Sequence, residues 1–155
     1  EPPELVPCLD AADEIRKIRE VIRRFRAGGN VSLGIILKTD AAARDMYEVL
    51  AGYDGVEENQ VEENQVEGNG EEACDISLLT RESTSFQNGI SITSVRMSKG
   101  LEFDEVLIPQ ADCRTYTSDF DRGLLYIACT RAMHRLTLTY SGKETEFISG
   151  QPPFL

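Results

Sequence analysis

Two segments carry residue types and spacings with chemical potential. Ser94–Ile108 reads SVRMSKGLEFDEVLI, a polar SKGLE stretch between two apolar runs, and Gly100 permits a tight backbone there. Leu124–Leu138 reads LLYIACTRAMHRLTL, where Thr130-Arg131 breaks an otherwise apolar pattern. An arginine near the end of a buried segment is costly unless it meets an anion or a carboxylate. Arg131 is therefore either a ligand for an anionic substrate or half of a structural ion pair, and the residues alone leave both open. His134, the single histidine, stands beside it and is expected to pack at a helix end.

These residues need elements to position them, and the pattern supplies strands alternating with helices. Asp10 caps a predicted helix over Ala11–Ala27 that stops at Gly28-Gly29, with Ile15, Ile18, Ile22 and Phe25 as its buried stripe. Six of the sixteen basic residues lie on this helix, a face suited to solvent or to phosphates. Val31–Leu37 reads as a strand buried on both faces, and Asp40 as the N-cap of a helix over Ala41–Leu50. Further strands are expected at Asp75–Thr80, Ile90–Val95, Glu105–Ile108 and Arg135–Tyr140, and a helix over Arg122–Met133. This alternation implies an α/β fold, a mainly parallel sheet with helices on both faces, whose ligands sit at the carboxyl ends of the strands.

The 155 residues and 17.3 kDa fit a single domain spanning 1–155. Sixteen Lys and Arg against twenty-seven Asp and Glu give a net charge of −11, which would argue against nucleic acid. That charge is local. Residues 55–73 repeat VEENQ and hold seven Glu with no Lys or Arg; without them the balance is 16 − 20, or −4. Such a composition cannot bury a core, so 55–73 is expected to be a solvated acidic loop within the domain. Cys8, Cys74, Cys113 and Cys129 form no C-x-x-C pair, so no metal site is expected and the thiols read as reduced, in a cytoplasmic protein. No apolar run approaches the roughly 20 residues of a membrane helix. The first residue is Glu1, and the chain is expected to be a piece of a longer one.

SKGLEFDEV followed by LLYIACTRA resembles motifs V and VI of superfamily 1 helicases of the UvrD/Rep type, and IILKTDAAARDMYEVL resembles their motif IV. The short run from motif IV to motif V and the closing TRAMHRLTLTYSG are most similar to the HelD-like branch. The resemblance implies the second RecA-like motor domain of an ATP-dependent DNA helicase or translocase. It implies that Arg131 reaches the γ-phosphate of ATP, that Glu102 meets the ribose with Gly100 allowing close approach, and that Lys38 nears the γ-phosphate. Ser94, Arg96 and Lys99 become candidate contacts to single-stranded DNA. Leu37-Lys38 stands where the family often has Tyr-Arg, which removes the aromatic that packs on adenine and replaces a bidentate fork by a point charge. Arg96 stands where a histidine is common.

No G-x-x-x-x-G-K-[ST] phosphate loop occurs in the sequence. The resemblance therefore implies that the phosphate cradle and the Mg²⁺ ligands come from an N-terminal RecA-like domain of the same chain, and that this piece alone is inactive. Two other readings stand beside it. One is a HelD-like factor whose ATP-driven movement acts on RNA polymerase; the other is a degenerate RecA-like binding platform.

Because the acidic repeat buries little, deletion of Val56–Gly70 is expected to leave thermal stability nearly unchanged. A melting temperature several degrees lower by circular dichroism would show that the loop packs.

Overall fold

A computed structural model describes residues 2–53, 76–79 and 88–149; the acidic 55–73 segment and Cys74 lie outside them. In chain order the elements are β1 (Glu4–Cys8), α1 (Ala11–Ala27), β2 (Ser32–Leu37), α2 (Asp40–Tyr53), β3 (Ile76–Leu78) and β4 (Gly89–Ser94). A 3-10 turn over Arg96–Ser98 precedes β5 (Phe103–Ile108), α3 (Asp119–Cys129), β6 (Ala132–Ser141) and the short α4 (Glu146–Ser149). The six strands form one sheet in the order β1-β6-β5-β2-β4-β3, and every pair is parallel.

Helices cover both faces, as the period of the apolar residues requires. On one face Ile18, Val21, Ile22 and Phe25 of α1 and Met46 and Leu50 of α2 pack on Leu33, Ile35, Ile90, Ile92 and Leu107. On the other, Leu125 and Ala128 of α3 and Ile148 of α4 pack on Ile36, Val106, Ile108 and Leu138. Successive β2 residues serve opposite faces, so this central strand is buried throughout. At the carboxyl edge, Oε2 of the buried Glu14 accepts hydrogen bonds from the Gln110 amide and the Thr139 hydroxyl, both at 2.7 Å. That carboxylate ties the first turn of α1 to the ends of β5 and β6.

One connection sets the geometry of the rest. β4 and β5 are parallel and flank β2, yet only residues 95–102 join them. The link must run back along the strands and sideways past β2, about 22 Å from the strand rise and spacing. With one 3-10 turn inside it, its reach is about 26 Å. It crosses nearly taut on the face that carries α3, burying Val95 and Phe103 there. The Phe103 ring lies against Gly34 of β2, where an added Cβ would come within 2.5 Å of the ring. Glycine at 34 is a requirement of this contact.

Some boundaries differ from the sequence reading. Thr39, not Asp40, caps α2: its Oγ1 accepts from the Ala42 amide, and Asp40 is the first helical residue with its carboxylate directed elsewhere. The helix expected at Arg122–Met133 starts three residues earlier, at Asp119, because Ser118 and Asp121 form a reciprocal capping box there, and it ends at Cys129. β6 then begins at Ala132, in register with Phe103, so His134 sits exposed on a strand rather than packed at a helix end. β1 and α4 were not foreseen. β1 contains Pro7 and lies at the sheet edge, where a strand tolerates the missing donor.

Replacing Gly34 with Ala is expected to destabilise the domain by about 1–3 kcal/mol, the usual cost of overpacking. The midpoint of urea unfolding should fall accordingly, and an unchanged midpoint would show that Phe103 moves aside freely.

Candidate functional site

The structure separates the candidate residues into two groups at opposite edges of the sheet. Lys38, Ser94 and Arg96 follow or end β2 and β4 at the carboxyl edge, whereas Gly100, Glu102 and Arg131 precede β5 and β6 at the amino edge. Lys99 lies on the connection between the two groups. Only part of the candidate set therefore lies at the carboxyl ends of the strands.

At the amino edge, the connection and the α3–β6 junction meet. The Phe103 amide donates to the Arg131 carbonyl at 2.9 Å, which places SKGLE beside the arginine. Three neutral oxygens hold the Arg131 guanidinium. Nε donates to the Ile127 carbonyl at 3.2 Å, Nη1 to the Leu101 carbonyl at 3.3 Å, and Nη2 to the Thr130 hydroxyl at 3.4 Å. None of these partners neutralises its charge, and the side chain is half-buried. Gly100 has φ +86°, a left-handed conformation that favours glycine, and an added Cβ would meet nothing within 4 Å. Glu102 is exposed. The arrangement is an oriented cation and a carboxylate flanking a glycine with open space beside it.

At the carboxyl edge, Lys38 is already engaged. Its Nζ donates to the Thr115 carbonyl at 2.6 Å, pairs with Asp121 Oδ2 at 3.0 Å, and lies 5.8 Å from the centroid of the Tyr116 ring. Asp121 is buried, and burial alone would raise its pKa. The Thr117 and Ser118 amides and the Lys38 ammonium overcome that and hold the carboxyl down at about 2. Tyr116 is almost fully buried and its phenol is pushed well above its ordinary value, by burial first and then by nearby acidic groups. Thr145 donates to the Tyr116 carbonyl at 2.8 Å, so the loop between β5 and α3 is latched from both sides.

The third cluster surrounds Asp40. Its Oδ1 accepts from the Ser94 hydroxyl in a short hydrogen bond, and its Oδ2 pairs with Arg96 Nη2 at 2.5 Å. Ser94 Oγ also accepts from the Met97 amide at 3.2 Å. Ser94 is only 1% exposed and its one hydroxyl proton is committed, whereas Arg96 and Lys99 are exposed. Asp40 was read from the sequence as a cap, and Asp121 was not singled out at all. The S-x-x-D spacing of Ser118 and Asp121 was the available signal for the second.

Cys8 and Cys129 are buried and Cys113 is exposed, all free thiols; burial raises the Cys129 thiol to about 12. Among the described residues no cluster of three or more metal-ligating side chains occurs, and no helix is long and apolar enough to cross a membrane.

Residues 89–139, from the start of β4 into β6, match the family model of the UvrD-like helicase C-terminal domain. The fold is similar to that of the C-terminal domain of a possible DNA helicase from Lactobacillus plantarum WCFS1. That likeness has a TM-score of 0.72 at 23% identity and covers 94% of this chain and 78% of the other. It is also similar to the C-terminal domain of the DEAD-box protein Dbp5, with a TM-score of 0.55 at 11% identity, covering 91% of this chain and 77% of that one. None of the curated proteins matches the chain. The fold is thus the RecA-like α/β fold of helicase C-terminal domains, with an all-parallel sheet.

Asp121 joins a helix cap to an ion pair, and its removal tests both. Because its folded pKa is depressed, the stabilisation is present above about pH 4 and is lost as the pH falls through 2. Asp121→Ala is expected to lose about 1–2 kcal/mol at pH 7. Urea titrations of wild type and variant should converge near pH 2; a difference that persists there would assign the loss to packing instead.

Proposed function

We propose that this chain is the second motor domain of an ATP-dependent superfamily 1 DNA helicase or translocase. In this reading it supplies one wall of an ATP site shared with an N-terminal RecA-like domain of the same polypeptide. The observation that carries the reading is the Arg131 guanidinium. It is oriented by three neutral oxygens beside Gly100 and Glu102, and no carboxylate is among them. An arginine with a purely structural duty would be expected to face an acid. A pre-oriented fork whose charge is not neutralised fits a phosphate instead. The match over residues 89–139 supports the same conclusion, since it takes in both segments.

The residues present fit a nucleotide at the amino edge. Arg131 would offset the charge on the transferred phosphoryl group, and Glu102 would accept hydrogen bonds from ribose hydroxyls. Open space beside Gly100 leaves room for a ligand against the backbone. ATP with Mg²⁺ supplies the driving free energy, and the metal ligands belong to the partner domain. Lys38 fits less directly. α3 carries Lys38's partner Asp121 in its first turn and runs about 12 Å further along its axis to Cys129, two residues before Arg131. For Lys38 to approach the same phosphate as Arg131, it must leave Asp121 and the Thr115 carbonyl. Arg96 and Lys99, exposed at and beyond the end of β4, are the side chains available to single-stranded DNA.

Arg131→Ala in the full-length polypeptide is expected to lower ATP turnover by roughly 10³-fold or more while the urea midpoint changes little, as loss of an arginine finger does. Turnover within a few-fold of wild type would return Arg131 to a structural role and remove the ATP-site reading. A motor acting on RNA polymerase predicts the same loss of turnover but no dependence on single-stranded DNA.

A further inference from the structure

The contacts of Asp40 bear on how the carboxyl edge meets a strand. Arg96 is an exposed cation there, just past the end of β4, yet it already donates to the Asp40 carboxylate. The same carboxylate takes the Ser94 hydroxyl proton, and the Met97 amide completes the Ser94 hydroxyl from the other side. Ser94 and the first turn of α2 thereby fix the acid in place. Both charged groups of the pair remain roughly half exposed, at 56% for Arg96 and 47% for Asp40, so solvent and solutes reach them.

We propose that Asp40 governs the affinity of this edge for single-stranded nucleic acid, because its carboxylate occupies the position on Arg96 that a backbone phosphate would take. The inference rests on the strand-binding part of the reading above. A phosphate arriving at Arg96 must displace an internal anion and then lie beside it. An exposed pair of this kind is weak, so displacement is feasible. It nevertheless cancels most of the long-range attraction of Arg96 and adds repulsion from Asp40. The arginine therefore releases fewer counterions on binding than an unpaired one would. Asn at position 40 keeps an oxygen for Ser94 and removes the charge, which makes it the informative substitution.

The test is binding of a fluorescein-labelled oligothymidylate to the full-length polypeptide, followed by anisotropy across a salt series. Asp40→Asn is expected to tighten binding by about 3–10-fold at low salt and to steepen the log–log salt slope by about 0.7, the value for one further phosphate neutralised on a single strand. Arg96→Ala should cost less than about 2-fold in wild type but should abolish the whole gain in the Asp40→Asn background. Equal or weaker binding by Asp40→Asn, or a gain that survives Arg96→Ala, overturns the proposal. Should Asp40→Asn unfold more readily than wild type in urea, Asp40→Ser provides the same charge removal with a helix-compatible acceptor. Absence of salt-dependent binding by every variant removes the strand edge and this inference with it. The ATP-site reading is judged separately, by the turnover of Arg131→Ala.

Discussion

The length of the β4–β5 connection is the constraint on which the rest of the structure depends. Parallel strands are ordinarily joined through a helix, which offers slack and covers a face of the sheet. Here eight residues, 95–102, pass beside β2 with almost no length to spare. Their path is fixed at one end by the 3-10 turn and at the other by Phe103, whose ring needs the bare backbone of Gly34. Because the connection is taut, the SKGLE segment has one place to lie, next to the start of β6. The Phe103 amide and Leu101 carbonyl then contact Arg131. The candidate site is thus a product of chain length and one missing methyl group as much as of charged residues.

Two of the candidate cations are held in ion pairs. Asp121 holds Lys38, Asp40 holds Arg96, and Glu14 binds only neutral donors at the ends of β5 and β6. Arg131 contrasts with these, its guanidinium held by carbonyl and hydroxyl oxygens. Pairing a cation with a carboxylate and leaving a guanidinium on neutral acceptors are different electrostatic choices. Only the second leaves a charge available to an anion. The contrast between Lys38 and Arg131 could not be read from composition, since both are single basic residues that interrupt apolar runs.

Much of the fold was legible because period and punctuation agree. Asp10 and Gly28 bound α1 in the sequence and in the structure, and the Val31–Leu37 run became β2 with only Val31 left outside. The misplaced end of α3 has a physical cause. Ala132-Met133 continues a helical pattern in sequence, but pairing of Ala132 with Phe103 across the sheet outweighs it. β1 has no strand-like pattern in the sequence, with prolines at 2, 3 and 7, and its pairing with β6 at the sheet edge makes it a strand. The distribution of candidate residues over two edges was hidden for another reason. Motif spacing fixes sequence neighbours, whereas the edge on which a residue falls depends on the direction of each strand. The partners of Asp40 and Asp121 are more than fifty residues from them in sequence, at Arg96 and Lys38.

Helix α3 has a mechanical consequence. Its first turn is anchored at the carboxyl edge by the Lys38–Asp121 contact, and its last turn leads into Arg131 at the amino edge. From Asp119 to Cys129 the helix is an uninterrupted rod of about 15 Å. A rod pivoting about its anchored end converts angle into travel: a tilt of about 10° carries the far end about 2.6 Å, close to the length of one hydrogen bond. The ion pair at one end and the guanidinium at the other are thus joined through one rigid element that is also packed on the sheet by Leu125 and Ala128.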